Sequence, residues 1–286
     1  MKLGFFGLGV MGRWMAGHLL RSGFDLTVFN RTKEKMDELV SKGAKRAESA
    51  EELASKCEMV FLCVSRTEDV LECMGKMLPA LKEGSLVVDH STIEPKGAKQ
   101  IFERCREHGV GFLDAPVTGG EKGAKEGTLT IFCGGVKSDY EKALPFMQAY
   151  SKMARLVGDS GSGQMMKMAN QIAVSLTVLS MAECLAFCEK TGLDMNDAIE
   201  LIGGGAGGSW SLSNYGPKVV ERDYRPGFSI ALQQKDLRYA LDTASEKGLE
   251  LRGVKLVHEL FSVLEREGRG NEATPALFDV VRDSGK

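Results

Sequence analysis

The stretch KLGFFGLGVMG, residues 2–12, joins a short apolar strand to a glycine-rich turn and to the beginning of a helix. A GxGxxG pattern alone is a weak signal, but here it closes a strand and opens the helical segment 13–20. The first glycine permits the tight turn, the second lets the backbone approach a pyrophosphate, and the third allows helix and strand to pack closely. Free N–H groups at the helix N-terminus attract phosphate. The pattern predicts a dinucleotide site formed by Gly7, Leu8, Gly9, Val10, Met11 and Gly12; a tight turn without a ligand is the alternative.

The end of the second predicted strand carries the information on the type of dinucleotide. An NAD site usually has Asp or Glu about twenty residues beyond the glycines, bonded to the ribose 2′-hydroxyl. Here Asn30 lies eighteen residues after Gly12 and is followed by Arg31 and Thr32. A carboxylate would repel a 2′-phosphate, whereas an amide, a guanidinium and a hydroxyl can hold one. These three residues favour NADP over NAD; a solvated Arg31 and an Asn30 that caps the next helix are the alternative.

Outward from this turn, short apolar runs alternate with amphipathic helical patterns. Several runs, such as residues 59–64 (MVFLCV), are continuously apolar, which is typical of strands covered on both faces of a parallel sheet. The first part of the chain is therefore expected to be an α/β domain of the Rossmann type. The predicted strands are 2–7, 25–29, 58–64, 85–89, 110–114, 129–133 and 153–157, and the predicted helices between them include 32–42, 67–76, 94–107 and 137–149.

The strand signals end at Gly158. Residues 164–191 contain neither Pro nor Gly, and a helix of that length would measure about 45 Å at 1.5 Å per residue. It is expected to carry the chain from one domain to another. We predict a dinucleotide-binding domain over 1–160 and an all-helical domain for substrate binding and oligomerisation over 161–286, with further helices near 195–202, 209–222, 229–247 and 252–267.

Composition excludes several other classes of protein. Of the 286 residues, 43% are apolar and 27% charged, the formal net charge is −2, and no basic face expected of a nucleic-acid binder is evident. No uninterrupted apolar run is long enough to span a bilayer, and the chain opens directly into a strand. The seven cysteines form no CxxC pair, which indicates a reducing compartment and no metal site. We expect a cytoplasmic protein that binds neither nucleic acid nor membrane.

Three later segments contain candidate groups for chemistry on a small carboxylate substrate. Gly119-Gly120 precedes a helical pattern and follows the Thr118 hydroxyl, so the loop can offer backbone N–H groups to a carboxylate. Lys167 and Asn170 are three residues apart on the long predicted helix and share a face. Lys235 lies in a later helix. A solvated lysine is the alternative for both Lys167 and Lys235. For His90, which lies beside Ser91, a structural role is favoured over that of a general base.

The residues also resemble a known family. The segments GLGVMGRWMAGHLL (7–20), DAPVTGG (114–120), EKGA (121–124), KEGTLTI (125–131), GSGQMMKMANQ (161–171) and KDL (235–237) occur in the order typical of β-hydroxyacid dehydrogenases. That family includes 3-hydroxyisobutyrate dehydrogenase, tartronate semialdehyde reductase and glyoxylate/succinic semialdehyde reductases. The similarity extends essentially from end to end.

The resemblance implies a role for single positions. Lys167 is similar to the catalytic lysine that exchanges the proton, and Asn170 to its partner on the substrate oxygen. Thr118, Gly119 and Gly120 are similar to the loop that binds the substrate carboxylate; the family usually has Ser where this chain has Thr118, and the added methyl group affects pocket shape. The remaining positions implied in cofactor binding are Val64, Ser65, Ser91, Thr92 and Lys235.

The resemblance leaves the physiological substrate and some alternatives open. Imine reductases share the architecture but usually lack the lysine at position 167, and a 6-phosphogluconate dehydrogenase needs a longer helical tail. A non-catalytic nucleotide sensor would predict loss of that lysine.

The apolar surface of the long predicted helix and of the helices that follow it predicts a homodimer or homotetramer formed through residues beyond 160.

Overall fold

The computed structural model describes residues 1–225 and 227–284; Pro226, Gly285 and Lys286, which fall within the predicted second domain, lie outside the described residues. The chain divides into two compact units, Met1–Lys167 and Met168–Lys286. The division falls inside a helix that begins at Ser162.

The first unit contains a nine-stranded sheet with helices between the strands. The strands are β1 (Leu3–Phe6), β2 (Leu26–Phe29), β3 (Lys45–Arg46), β4 (Met59–Leu62), β5 (Leu86–Asp89), β6 (Gly111–Asp114), β7 (Val117–Thr118), β8 (Leu129–Gly135) and β9 (Ser151–Gly158). Six parallel strands follow the order β3-β2-β1-β4-β5-β6, after which β8 pairs antiparallel with both β6 and β7 and parallel with β9. This is the Rossmann order, in which the direction of chain progression reverses between β1 and β4.

Helices connect these strands and cover both faces of the sheet. They are α1 (Gly12–Arg21), α2 (Asp37–Ser41), α3 (Ala50–Lys56), α4 (Thr67–Met77), α5 (Pro95–Glu107), α6 (Gly120–Glu126) and α7 (Lys137–Met147), with 3₁₀ turns at Lys33–Met36 and Leu78–Ala80. Along β4, Met59 and Phe61 pack into one hydrophobic cluster while Val60 and Leu62 pack into the other. Both faces of a central strand are therefore apolar, which confirms the reason for predicting a mainly parallel sheet.

The second unit is helical. Its elements are the greater part of α8 (Ser162–Thr191), then α9 (Met195–Gly203), α10 (Trp210–Val220), α11 (Ile230–Glu246), α12 (Arg252–Arg266), a 3₁₀ turn at Thr274–Ala276 and α13 (Leu277–Asp283). Within the described part of this unit, the extended pairing is a single bridge between Ser229 and Ala273. Its core combines α8 residues such as Leu185 with Phe261 of α12 and Phe278 of α13. The fold prediction, a Rossmann domain followed by an all-helical one with a long helix at the junction, is confirmed.

Helix α8 is strongly apolar over part of its length. Although its apolar runs are interrupted, one 18-residue window has a mean hydropathy of 1.7, and by length and composition alone the helix could cross a membrane. Half of that window is buried inside the protein. A helix that is apolar on much of its circumference and packed by other helices is also what the core of a globular domain requires.

Candidate active site

The glycine-rich turn between β1 and α1 has the geometry that a dinucleotide requires. Gly7 has φ of +100°, and a Cβ at Gly7 or Gly12 would overlap a backbone carbonyl oxygen. A Cβ at Gly9 would meet nothing within 4 Å. Among the described residues, the N–H groups of Val10 and Met11 have no acceptor. The turn therefore presents open space and free N–H donors at a helix N-terminus, which fit the pyrophosphate of a dinucleotide.

Asn30 holds this turn in place. Its Oδ1 accepts the N–H of Leu8 at 2.8 Å, and its Nδ2 donates to the carbonyl oxygen of Thr32 at 2.8 Å. The amide thus links the end of β2 to the glycine-rich turn and does not cap the following helix. The sequence predicts that Asn30 contacts the cofactor. Its two side-chain hydrogen bonds show that it also stabilises the glycine-rich turn.

Arg31 and Thr32 are the exposed residues that follow Asn30. The Arg31 guanidinium is close enough to Glu72 on α4 to contribute to the lowered pKa of that carboxyl group, although the hydrogen bond from Lys76 is the larger cause. Arg31 is thus a solvent-facing cation beside the β2 end of the dinucleotide turn.

The residues that follow β4 and β5 form the next part of the site. The Oγ of Ser91 accepts the N–H of Val64 at 2.9 Å, and Asp89 Oδ1 accepts the N–H of Ser91 at 2.9 Å. Ser65 is exposed and Thr92 is half-buried. Because β1 and β4 are the strands between which the chain order reverses, the residues after β4 lie at the edge where open α/β sheets bind ligands.

His90 is part of the core of the first unit. Its Nδ1 lies 2.7 Å from the carbonyl oxygen of Ala115, and its Nε2 lies 2.8 Å from the hydroxyl of Tyr150. Because a carbonyl only accepts, Nδ1 carries the hydrogen and Nε2 accepts from Tyr150. Burial lowers the pKa of His90 to about 4. His90 is therefore a neutral residue of the core, as the sequence favoured.

The predicted carboxylate-binding loop follows β6 and includes the short strand β7. Gly119 has φ of +126° and Gly120 φ of +64°, conformations that favour glycine, and they lead directly into α6. Gly119 is exposed, while Thr118 and Gly120 are half-buried. A Cβ at Gly120 would meet nothing within 4 Å, so a ligand can approach the backbone there.

Lys167 lies on α8 with only 7% of its surface exposed. This burial fits the prediction that Lys167 belongs to the reacting centre and is not a solvated residue of the helix. Its neighbours on the helix, Met165 and Met166, are 39% and 43% exposed. Asn170 follows one turn later and is half-buried.

In the second unit, two hydrogen bonds join three neighbouring side chains, and an ion pair adds a fourth side chain to the series. Asn170 Nδ2 donates to Gln171 Oε1 at 2.9 Å, Gln171 Nε2 donates to Asp236 Oδ2 at 2.7 Å, and Asp236 Oδ1 pairs with Lys235 Nζ at 3.2 Å. Gln171, Lys235 and Asp236 are all buried. Because a carboxylate accepts, it fixes the orientation of the Gln171 amide, which in turn fixes that of Asn170.

Sequence reasoning named Asn170 and Lys235 but missed Gln171 and Asp236. Their positions in the sequence could have indicated them, because Gln171 lies four residues after Lys167 on the same helix and Asp236 follows Lys235 directly. Only the packing of α8 against α11 within this unit shows that the two side chains meet.

Two models of known protein families match the chain, one over its first part and one over its second part. Residues 2–158 match the family model described as the NAD binding domain of 6-phosphogluconate dehydrogenase. Residues 161–281 match the model described as the NAD-binding region of NADP-dependent 3-hydroxyisobutyrate dehydrogenase.

Relatives and solved structures extend the match over nearly the whole chain. A 2-hydroxy-3-oxopropionate reductase of Escherichia coli is 39% identical over 284 residues, which covers 98% of this chain and 97% of the relative. A probable 3-hydroxyisobutyrate dehydrogenase-like mitochondrial protein of Arabidopsis thaliana is 38% identical, covering 97% of this chain and 84% of the relative. The structure of a 3-hydroxyisobutyrate dehydrogenase of Mycobacterium tuberculosis with L-serine superposes with a TM-score of 0.89 at 27% identity, covering 98% and 99% of the two chains.

The two family models together account for both units, and the bacterial relative is similar over almost its whole length. The predicted family and the predicted enzyme class are confirmed. The chain belongs to the β-hydroxyacid dehydrogenase family, NAD(P)-dependent oxidoreductases that act on CH–OH groups.

Proposed function

We propose that this enzyme interconverts a small 3-hydroxy acid and the corresponding semialdehyde, using NADP, with Lys167 as the general acid and base. The observation that carries the proposal is the buried Lys167, which lies one helical turn before Asn170 in a chain of this family. Burial holds the ammonium group in a defined position, which proton transfer to a bound substrate requires. Candidate substrates are 3-hydroxyisobutyrate, tartronate semialdehyde, succinic semialdehyde and glyoxylate or compounds closely related to them.

The reaction requires transfer of a hydride and of a proton. The nicotinamide, when bound, supplies or accepts the hydride at carbon. The Nζ of Lys167 gives a proton to the carbonyl oxygen as it becomes a hydroxyl, and accepts that proton in the reverse direction. Asn170, held by Gln171, hydrogen-bonds the same oxygen. In this proposal, Lys167 transfers the proton and Asn170 orients the substrate oxygen.

Thr118, Gly119 and Gly120 are proposed to bind the substrate carboxylate. Both glycines lie at the N-terminus of α6, where backbone N–H groups favour an anion, and the adjacent Thr118 hydroxyl adds another donor. Lys235 is proposed to neutralise charge near the nicotinamide and the substrate. Its ion pair with Asp236 restrains the ammonium so that little orientation remains to be lost on binding.

The cofactor preference is proposed to rest on Arg31 and Thr32. Asn30 uses its carbonyl oxygen for Leu8 and so is less available to a ligand than the sequence suggested. The guanidinium and hydroxyl of the next two residues remain exposed and can bind a 2′-phosphate, and no carboxylate at position 30 opposes it. The remaining cofactor contacts are proposed for the glycine-rich turn, Val64, Ser65 and Thr92.

Steady-state kinetics with a panel of substrates tests the proposed function. Methylmalonate semialdehyde, tartronate semialdehyde, succinic semialdehyde and glyoxylate are compared, each with NADPH and with NADH, alongside a cyclic imine and 6-phosphogluconate. We expect kcat/KM to be largest for a semialdehyde carboxylate with NADPH. Turnover of the imine alone, or of no compound in the panel, would overturn the proposal.

A further inference from the structure

A buried carboxylate lies at the N-terminus of the long helix. Asp114 ends β6 and is completely buried. Its Oδ1 accepts the N–H of Gly161 at 2.7 Å, and its Oδ2 accepts the N–H of Gln164 at 2.9 Å. A carboxylate that accepts the unpaired N–H groups of a first helical turn acts as a cap and complements the helix dipole. This cap is unusual because it comes from a strand and not from the residue before the helix.

The helix backbone approaches this carboxylate too closely for side chains. A Cβ added at Gly163 would lie 2.8 Å from Asp114 Oδ2, and one added at Gly134 on β8 would lie 2.7 Å from Oδ1. Burial raises the pKa of Asp114 to about 7, while the N–H groups of Gly161 and Gln164 act in the opposite direction. Asp114 is therefore excluded from water, and the two backbone N–H groups replace the hydrogen bonds that water would make to its carboxylate oxygens.

Gln164 provides a second attachment for the same turn. Its Oε1 accepts the N–H of Ile93 at 3.1 Å, and its Nε2 donates to the carbonyl oxygen of Ser91 at 2.8 Å. The side chain is completely buried. Both bonds are made to the segment after β5, which contains Thr92. The first turn of α8 is therefore joined to the segment after β5 by one side chain and to β6 by another.

We propose that Asp114 and Gln164 are positioning residues that set the height and the rotation of residues 162–167 at the beginning of α8, and through them the position of Lys167, relative to the segment Ser91–Ile93. Lys167 lies three residues beyond Gln164, about 4.5 Å along the helix axis. A rigid helix carries any displacement of its first turn to that residue. The inference rests on the proposed role of Lys167 in proton transfer, and all of its contacts lie within the first unit.

Two substitutions separate this role from general stability. Gln164→Met keeps the length of the side chain but removes the bonds to Ser91 and Ile93. Asp114→Asn keeps the shape but places an NH₂ group against one of the two N–H donors, which leaves a buried donor unsatisfied. Because a misplacement of about 1 Å can reduce a rate about 100-fold, we expect kcat to fall 10- to 100-fold in each variant while KM for NADPH changes less than about twofold.

Tyr140→Phe is the matched control. Its hydroxyl donates to the carbonyl oxygen of Ala154 at 2.9 Å, so the substitution also removes a bond from a side chain to a backbone carbonyl in the first unit, but away from the site. It should lower the melting temperature without lowering kcat. If Tyr140→Phe lowers kcat as much as Gln164→Met at an equal loss of stability, the positioning role is wrong. Should Gln164→Met fail to fold, Gln164→Glu, which keeps the acceptor for Ile93, must show the same decrease in kcat at unchanged KM for NADPH, and an unchanged kcat overturns the inference.

The double variant Gln164→Met/Lys167→Ala tests whether Gln164 acts through the lysine. We expect no further decrease beyond Lys167→Ala alone, because residues acting as a unit are not additive. An additive decrease would overturn the positioning role. If Lys167→Ala retained near-native turnover, the proposed function would fail instead, so the two failures are distinguishable.

Discussion

Lys167 is the residue on which the proposed chemistry depends. General acid–base catalysis typically contributes a factor of about 10² to 10⁴ in rate. Lys167→Ala should therefore lower kcat at least 100-fold, while the affinity for NADPH, measured by fluorescence titration, stays nearly unchanged. Lys167→Arg should also lack turnover, because a guanidinium does not release its proton in this pH range. Near-native turnover in Lys167→Arg would show that the side chain is only an electrostatic anchor.

Arg31 is the residue expected to distinguish the two nicotinamide cofactors. It is exposed, and an arginine that binds a phosphate contributes charge-assisted hydrogen bonds. Arg31→Ala should lower kcat/KM for NADPH at least tenfold and leave kcat/KM for NADH within about threefold. Lys33→Ala, which removes a nearby exposed cation engaged with Glu48, is the control. A wild-type preference for NADH, or equal losses for both cofactors, would contradict the assignment.

His90 gives the protein a predictable dependence of stability on pH. Its pKa is lowered from 6.5 to about 4 by burial, so the folded protein binds fewer protons than the unfolded chain between these values. Its contribution to the free energy of unfolding is complete above about pH 6.5 and is lost as the pH falls towards 4. The pKa of Asp114 is raised, which acts in the opposite direction over an overlapping range.

The contribution of His90 is isolated by comparing the wild type with His90→Gln in urea denaturation at several pH values. At about 1.36 kcal/mol per pKa unit, the loss of wild-type stability from pH 6.5 to 4 should exceed that of the variant by roughly 3 kcal/mol. The effect of Asp114 is common to both proteins and cancels. Parallel curves for the two proteins would show that His90 does not titrate differently on folding.

In the turn between β1 and α1, the three glycines serve different purposes. Gly7 and Gly12 are required by the fold, whereas Gly9 is expected to be required only for binding the cofactor. Gly9→Ala adds a methyl group where nothing lies within 4 Å, so the free energy of unfolding should change by less than about 0.5 kcal/mol. The same methyl group would occupy the space proposed for the pyrophosphate and should raise the Kd for NADPH at least tenfold. Gly12→Ala, whose Cβ would overlap the carbonyl of Gly7, should instead destabilise the fold. Unchanged NADPH affinity in a folded Gly9→Ala protein would place the cofactor elsewhere.

Most elements could be predicted because their sequence patterns are strong. Continuous apolar runs predicted strands such as β4, and the long segment without Pro or Gly predicted α8. The elements that the sequence did not reveal are short: β3 and β7 have two residues each, and α3 and α13 have seven each. A two-residue strand contains too few side chains to show any period, and β3 exists only because its backbone pairs with β2.

At the scale of the whole molecule, exposed apolar side chains are the feature that predicts assembly. In the second unit they are Leu176, Phe187, Leu193, Leu201, Trp210, Leu249 and Leu256, with Leu201 75% and Phe187 64% exposed. Large apolar side chains that remain exposed favour burial against another chain. We expect a homodimer or homotetramer by multi-angle light scattering at micromolar concentration, and a decrease in assembly in Phe187→Asp/Leu201→Asp. A wild-type monomer under these conditions would contradict this.

The cellular environment stays a prediction. All seven cysteines, which are among the described residues, are free thiols, and burial raises the pKa of several, such as Cys105 to about 12. Thiols of that kind are inert, which suits the reducing cytoplasm that we expect. Cell fractionation would test this location.

The sequence by itself determined the family, the Rossmann class and the candidate residues, because local features carry that information: glycines at fixed spacing, apolar runs, and a lysine and an asparagine on one helical face. The tertiary structure alone decided which polar groups meet. Asp114 lies forty-seven residues from the Gly161 N–H that it accepts, and Gln171 lies sixty-five residues from Asp236. The neutral state of His90 likewise depends on distant partners. Hydrogen bonding and desolvation act through space, so they become defined only when packing brings remote segments together.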